Sequence, residues 1–153
     1  MKRMMLSVAM LVMVVFGSTA AVAAASKPQV VQGYGVQQTT FKFAFTATRN
    51  ASGKVGGFFW DTDFGGSQYV VGEVDCLTIQ GNSADVGFIV TASNVYTAGT
   101  QADFGVTDNG PPVNGQSPDL ISDVFGNKPV NPTDCSEHDG PYAIDSGSIV
   151  VSG

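Results

Sequence analysis

Residues 74–88 read VDCLTIQGNSADVGF and decide the fold, because they specify a β-hairpin almost residue by residue. Apolar and polar side chains alternate on both sides of Gly81-Asn82, as in strands that bury one face. A two-residue connection with Gly first is typical of a type II′ turn, whose twist matches that of paired strands. We therefore predict strands at 68–80 and 83–91, joined by this turn.

The two strands cannot pair along their whole length without an irregularity. Pairing outward from the turn sets Leu77 opposite Val86, and both are apolar. Continuing without interruption would set Asp75 opposite Phe88, which is a poor match. One extra residue at Asp75 or Cys76 restores the phase. We therefore predict a β-bulge there, which bends the strand as the closing of a barrel requires.

The chain contains two cysteines, Cys76 and Cys135. In an oxidising compartment, an even pair without a competing thiol predicts one disulfide. Its loop of about 60 residues would stabilise the fold by roughly 4 kcal/mol on chain-entropy arithmetic. Residues 109–146 form a long irregular stretch rich in Gly, Pro, Asn and Asp. The disulfide would hold this C-terminal stretch against the strand that carries Cys76.

Further short strands lie on both sides of the hairpin. Alternation at 39–49 places Phe41, Phe43 and Phe45 on one parity, which predicts one buried face. Turn residues at 50–53 end this strand. Other segments of strand composition are 54–61, 101–108, 120–125 and 147–151. About seven or eight such strands predict an all-β domain, a single antiparallel meander that closes as a β-barrel, with a β-sandwich as the second choice.

Residues 1–25 have the composition of a secretory signal peptide. Lys2 and Arg3 supply a positive start, residues 4–16 are predominantly apolar, and a region of small residues follows. The apolar run is too short for a membrane span, and no stop-transfer pattern follows it. We predict that residues 1–25 are removed and that 26–153 form one secreted β-domain, periplasmic or extracellular, without a transmembrane segment.

The predicted mature domain is acidic. Removing Lys2 and Arg3 changes the formal net charge from −6 to −8. Five cations remain: Lys27, Lys42, Arg49, Lys54 and Lys128. Such a surface repels phosphate backbones and anionic lipid heads, so we predict no nucleic-acid partner.

Metal ligands are conceivable at three places, but each has a simpler interpretation. His138, the only histidine, lies in the run 134–139, where a solvated polar loop is favoured over a metal site. Residues 61–63, and Asp103 with 108–110, carry oxygens that calcium could use, but Asp and Asn are also what turns prefer. No G-x-S-x-G stretch provides a poised serine. We therefore predict no catalytic residue, no cofactor and no metal site.

The aromatic side chains allow two interpretations. Phe41, Phe43, Phe45 and Trp60 could line a cavity for a small apolar ligand, as in some small barrels. More often such rings fill the interior, and we favour core filling. A continuous cavity lined by these four residues would favour a carrier, whereas a filled interior would exclude one.

Four segments resemble an uncharacterised family of small secreted bacterial β-rich proteins, which carry the core motif V-x-C-L-x-V-x-G-N-x-A-x-V-G-G. They are VDCLTIQGNSADVG at 74–87, FGVTDNGP at 104–111, PDLIS at 118–122 and GSIVV at 147–151. The chain departs from the motif at Phe88, where the family usually has a second glycine. The resemblance implies a β-rich fold and export, and it implies no activity, substrate or catalytic residue.

Together these features favour a secreted, non-enzymatic β-domain with a binding or structural role in the periplasm, cell wall or medium. The first alternative is a lipocalin-like carrier of a small apolar ligand. A weaker alternative is a hydrolase or lyase that uses acidic residues, which an acidic pair of raised pKa in a cleft would favour. A broad exposed aromatic patch would favour an interaction with another extracellular protein.

Overall fold

The computed structural model describes residues 27–111, 118–133, 135 and 142–153. The predicted signal peptide, residues 1–25, and His138 lie outside these ranges. The described residues form no helix, and therefore none that could cross a membrane. They form nine strands: β1 (Gln29–Gln37), β2 (Phe41–Arg49), β3 (Val55–Asp63), β4 (Tyr69–Gln80), β5 (Ser83–Ser93), β6 (Gln101–Thr107), β7 (Leu120–Ile121), β8 (Phe125–Lys128) and β9 (Tyr142–Ser152).

These strands close into an antiparallel barrel. β1 to β6 follow one another as a meander, and each pairs with the next. β9 returns to pair with β1, and the short β7 joins β9 to β6, so that eight strands form a closed ring. β8 is the additional strand, and it lies along the same edge of β6 as β7. The predicted all-β barrel is confirmed, and the alternative sandwich is not formed.

The β4–β5 hairpin has the predicted turn and the predicted bulge. Gly81 has a φ of 66°, which suits the first central position of a type II′ turn. Leu77 pairs with Val86, and the register shifts between Val74 and Cys76, so that Val74 lies opposite Phe88. A second irregularity, between Val71 and Gly72, was not predicted.

Strand β1 is not among the strands that the sequence predicted. Gly33 and Gly35 interrupt the pattern of side chains and hide a strand that continues to Gln37. The structure needs glycine at these positions because rings on β2 cover them. A Cβ atom on Gly33 would lie 2.7 Å from Cε1 of Phe45.

Phenylalanine rings fill the centre of the barrel. The rings of Phe59 and Phe88 stack with centroids 4.5 Å apart, and those of Phe59 and Phe104 are 4.6 Å apart. Phe45 meets Phe104 edge to face at 5.0 Å. These side chains are at most 2% exposed. The interior is therefore a packed core, as the core-filling interpretation predicts.

The segment that follows β7 covers part of the outside of the barrel. The predicted disulfide is present, with the Cα atoms of Cys76 and Cys135 5.9 Å apart. Cys76 lies opposite Gly87 on the outward parity of β4, and Cys135 is 1% exposed. Nearby, the Nζ atom of Lys128 lies 2.7 Å from the buried carboxylate of Asp103. The disulfide thus attaches Cys135 to the outward face of β4.

Candidate functional site

The carboxylates of Asp63 and Asp108 accept hydrogen bonds from nearby backbone amides. Oδ1 of Asp63 accepts hydrogen bonds from the amides of Ser67 at 2.7 Å and Gln68 at 3.2 Å. Hydrogen bonds in this turn, first of all from the Ser67 hydroxyl, lower the pKa of Asp63. Oδ1 of Asp108 likewise accepts from the amide of Gly110 at 2.8 Å. Turn chemistry, which the sequence favoured over calcium binding, accounts for both side chains.

Asp119 has a structural role that the sequence did not predict. Its side chain is 8% exposed and connects Asn109, which follows β6, with Ile149 on β9. Oδ1 accepts from the amide of Asn109 at 2.9 Å, and Oδ2 accepts from the amide of Ile149 at 2.8 Å. Asp108 makes a similar bond to the amide of Val151 at 3.0 Å. No local pattern could reveal the bonds from Ile149 and Val151, because both donors lie on β9, far along the chain from Asp108 and Asp119.

Within the described ranges, no three His, Cys, Asp or Glu side chains converge in a way that would hold a metal ion. Asp103, which the sequence grouped with 108–110 as a source of calcium ligands, instead pairs with Lys128. His138 lies outside the described residues.

A cavity of about 360 Å³ opens at one end of the barrel, where β1 and β3 end and β2 and β4 begin. The β5–β6 connection and the link between β7 and β8 complete its wall. Its polar lining residues are Gln37, Asp61, Thr62, Gln68 and Asp123. Its apolar and aromatic lining residues are Phe41, Tyr69, Val70, Val95, Tyr96, Val124 and Phe125. A concave wall that combines aromatic rings with convergent polar groups is typical of small-ligand sites.

Asp61 is the unusual residue of this cavity. It has the inward parity of Phe59 and lies opposite Phe43 on one neighbouring strand and Val70 on the other. Burial raises its pKa to about 6; a backbone hydrogen bond from Thr62 opposes this shift, and the charges of neighbouring aspartates add to it. Its Oδ1 is buried and has no hydrogen-bond partner among the described residues. Asp61 is therefore a carboxylate with one unsatisfied oxygen at the edge of an apolar core.

Two further cavity residues lie close to Asp61. The charge of Asp123 contributes to the raised pKa of Asp61, and its Oδ1 accepts from Nε2 of Gln37 and Gln38, each at 3.5 Å. The hydroxyl of Tyr96 donates to the carbonyl oxygen of Val124 at 2.6 Å. Burial raises the pKa of Tyr96, and the two carboxylates add to this effect. The site therefore combines an acidic pair with a neutral phenol.

The four aromatic residues proposed to line a cavity are separated by the structure. Phe41 lies at the barrel end and lines the cavity there. Phe43 and Phe45 are 3% and 2% exposed and belong to the packed core. Trp60 has the opposite parity to Phe59 and is 37% exposed on the outer face. The four residues therefore do not form one cavity inside the barrel.

The sequence did not predict that Asp61, Tyr96 and Asp123 form one site. The parity of β3 carried part of the signal, because Asp61 lies two positions after a core residue and so points inward near a strand end. Tyr96 and Asp123 gave no comparable signal, because both lie in connections whose placement depends on tertiary contacts.

A second buried carboxylate lies outside the cavity. Asp75, in the β-bulge, has a pKa raised by burial, and its Oδ2 has no partner in the described part of the chain. Its Oδ1 accepts from Nε2 of Gln101 at 3.5 Å. Gln101 in turn donates to the carbonyl oxygen of Asn131 at 3.0 Å. Gln101 therefore connects the bulge at Asp75 with Asn131, which lies shortly before Cys135 in the chain.

The outer face of β9, β1, β2 and β3 carries exposed aromatic residues. Tyr34 and Trp60 lie on either side of Ala44 in one cross-strand row, and Phe58 lies in the next row. Tyr34 is 64% exposed and Phe58 50% exposed. A shallow groove of about 340 Å³ passes between Tyr34, Phe58 and Val150.

Comparison of the chain with protein-family models, with curated proteins and with solved structures finds no match. The resemblance to the small secreted bacterial β-rich family therefore stays a prediction.

Proposed function

We propose that this chain is an exported, non-enzymatic binding protein that holds a small organic molecule in the cavity at the end of its barrel. The observation that carries the proposal is Asp61, an inward carboxylate whose Oδ1 is buried without a partner beside a ring-lined space of about 360 Å³. A cavity in which polar groups converge beside aromatic rings, with a carboxyl group of perturbed pKa, is the expected form of a ligand site.

The energetics of Asp61 support this proposal. An ionised carboxylate beside Phe43 and Val70 lowers the stability of the fold, and a neutral residue there would avoid the cost of burying a charge. Residues that destabilise a fold in this way are concentrated at functional sites, where binding uses them. By contrast, Asp63, Asp108 and Asp119 stabilise the fold through backbone hydrogen bonds.

The location of the site differs from that in a lipocalin-like carrier. Phe59, Phe88 and Phe104 fill the centre, so the proposed ligand lies at the mouth and not within the barrel. Export is part of the proposal, and it rests on the composition of residues 1–25 and on the disulfide between Cys76 and Cys135.

The test is a fragment titration of the 15N-labelled mature chain, residues 26–153. The library contains aryl amines, aryl alcohols and aryl carboxylates, and amide shifts report the site. Binding fragments should shift the amides of Tyr69, Val70 and Tyr96. Val95→Trp, which places an indole in the mouth, should abolish these shifts. Val130→Trp is the matched control, because Val130 is 54% exposed and does not line the cavity.

Shifts confined to the outer aromatic face around Tyr34 would contradict the proposal and would favour an interaction surface. Binding that survives Val95→Trp unchanged would also contradict it. A complete absence of shifts across the three classes of fragment would remove the small-molecule proposal altogether.

A second candidate function is acid–base catalysis, as in a hydrolase or lyase. The specific observation is that Asp61, next to Asp123, has a pKa of about 6, which suits a group that exchanges a proton near neutral pH. Assays with chromogenic esters and glycosides test it. Turnover that is lost in Asp61→Asn and follows an apparent pKa near 6 would favour the enzyme; turnover that Asp61→Asn leaves intact would exclude this role.

A further inference from the structure

The charge of the cavity has one sign. Asp61 and Asp123 are its charged lining residues, and Lys, Arg and His are absent from the residues that line it. The cation Lys42, on the outward parity of β2, lies over the ring of Phe64, with Nζ 4.5 Å from the ring centroid. A ligand therefore meets two carboxylates with no lining cation to neutralise them.

The polar partners of these carboxylates are weak. Asp123 accepts from Gln37 and Gln38 at 3.5 Å, the long limit for a hydrogen bond, and Oδ1 of Asp61 has no partner among the described residues. Buried carboxylate oxygens normally accept hydrogen bonds, since an unpaired one is costly. An ammonium group in the cavity would compensate the negative charge of the two carboxylates.

The rest of the wall also suits a cation. The rings of Phe41, Tyr69, Tyr96 and Phe125 border the space that the carboxylates face. Aromatic faces attract ammonium groups through the quadrupole of the ring, and the attraction grows when the site is shielded from water. The same rings provide apolar contact for the body of an organic molecule.

We infer that the ligand is an organic monocation, an aryl amine in which the ammonium group binds at Asp61 and Asp123 and the ring system packs between Tyr69 and Tyr96. This inference rests on the proposed function, since it names the chemical class of ligand for the same cavity. A carboxylate ligand would be repelled by both aspartates. A neutral ligand would leave the two negative charges uncompensated at close range.

Binding of a cation depends on pH because it requires ionised Asp61. The titratable groups near Asp61 are Asp63 on its own strand, Asp123 on the β7–β8 link, Tyr96 on the β5–β6 connection and Tyr69 at the start of β4. With a pKa of about 6, Asp61 is mostly protonated near pH 5 and mostly ionised near pH 7. The affinity for the amine should therefore rise about tenfold over this interval.

The experiment is calorimetric titration of the mature chain with three matched probes: 2-(1-naphthyl)ethylamine, 2-(1-naphthyl)ethanol and the anion of (1-naphthyl)acetic acid. At about pH 7 the amine should bind at least about tenfold more tightly than the alcohol, and the carboxylate should bind weakest. Asp61→Asn and Asp123→Asn should each reduce amine affinity at least about tenfold and leave the affinity for the alcohol nearly unchanged. Glu73→Gln, a change on the outward parity of β4 opposite Phe58, is the charge-matched control.

Equal affinity for amine and alcohol, with shifts at cavity amides for both, would overturn the inference while the proposed function stands. Tighter binding of the carboxylate than the amine would overturn it in the same way. If none of the three probes shifts the cavity amides, the inference fails, and the fragment titration decides separately whether the proposed function fails with it. Unchanged amine affinity between about pH 5 and pH 7 would exclude Asp61 as the binding group.

Discussion

Asp61 lies directly opposite Phe43 in the β2–β3 ladder, so that a carboxylate borders the layer of phenyl rings that fills the barrel. Phe43 is 3% exposed, and Val70 on the other side of Asp61 is also buried at 3%. This neighbourhood is the physical reason for the raised pKa of Asp61, because burial penalises the charged form. Because Asp61 also lines the cavity, a change at this position should affect both the stability of the fold and the proposed ligand binding.

We predict that Asp61→Asn stabilises the protein at neutral pH. The folded-state pKa of about 6 exceeds the ordinary value of 3.8, so the folded protein binds more protons than the unfolded chain between these values. The contribution of Asp61 to stability should therefore fall as the pH rises from about 4 to about 6 and then level off. The variant lacks this fall, and its gain near pH 7 should be about 1 to 3 kcal/mol.

Urea unfolding of both proteins near pH 4 and near pH 7 measures this difference. Glu73→Gln serves as the control, and it should show no comparable gain near pH 7. A stability of Asp61→Asn below that of wild type at neutral pH would show that the ionised carboxylate has a stabilising partner.

We predict that the disulfide contributes much of the net stability. Cys76 and Cys135 are separated by 59 positions, so that reduction frees a long loop in the unfolded chain. Replacing both with Ser should lower the free energy of unfolding by about 3 to 4 kcal/mol. Intact mass of the native protein should be two hydrogens below that of the reduced protein. A melting temperature that reduction leaves unchanged would contradict the prediction.

We predict that replacing only one partner of the salt bridge between Asp103 and Lys128 lowers the free energy of unfolding. Asp103 has a side chain that is 4% exposed, and Lys128 approaches it at 2.7 Å. Lys128→Met should destabilise the fold by about 3 kcal/mol, because it leaves a buried carboxylate without its cation. The double variant Asp103→Asn with Lys128→Met should recover part of this loss. Chemical denaturation of the four proteins of this cycle gives the coupling energy, and purely additive losses would argue against direct pairing.

We predict that alanine substitution changes stability by unequal amounts at two glycines on neighbouring strands. A Cβ at Gly72 would overlap the ring of Phe88 and lie 2.7 Å from the carbonyl oxygen of Ile89, so Gly72→Ala should cost about 2 kcal/mol or more. Gly56 has nothing within 4 Å of such an atom, so Gly56→Ala should change stability by less than about 1 kcal/mol. Thermal unfolding of both variants checks this; equal losses would mean that the Phe88 ring is not held against β4.

Local side-chain order made the β4–β5 hairpin predictable. The turn at Gly81 and the bulge beside Cys76 follow from period-two alternation, because a shift of one residue would move every side chain to the opposite face. The inward face of β6 was predictable for the same reason, and Ala102, Phe104 and Val106 are buried.

Alternation alone could not tell which parity of β3 faces inward. Three adjacent aromatics, Phe58, Phe59 and Trp60, required at least one to lie outside, and packing against Phe88 selects Phe59 for the core. Trp60 is consequently on the outer face. Alternation could not predict β1, because Gly33 and Gly35 have no side chains. Only the structure shows that rings on β2 cover these glycines.

The sequence by itself determined the β4–β5 hairpin, its bulge and the disulfide, since each depends on neighbours along the chain or on the only two thiols present. Tertiary structure alone decided that β9 closes the barrel by pairing with β1 and β7, and it decided the surroundings of each aspartate. Asp119 meets the amide of Ile149, whereas Asp61 meets Phe43 and remains without a partner for Oδ1. The physical reason is that the environment of a carboxylate is set by strands brought together across the fold, and composition does not record which strands those are.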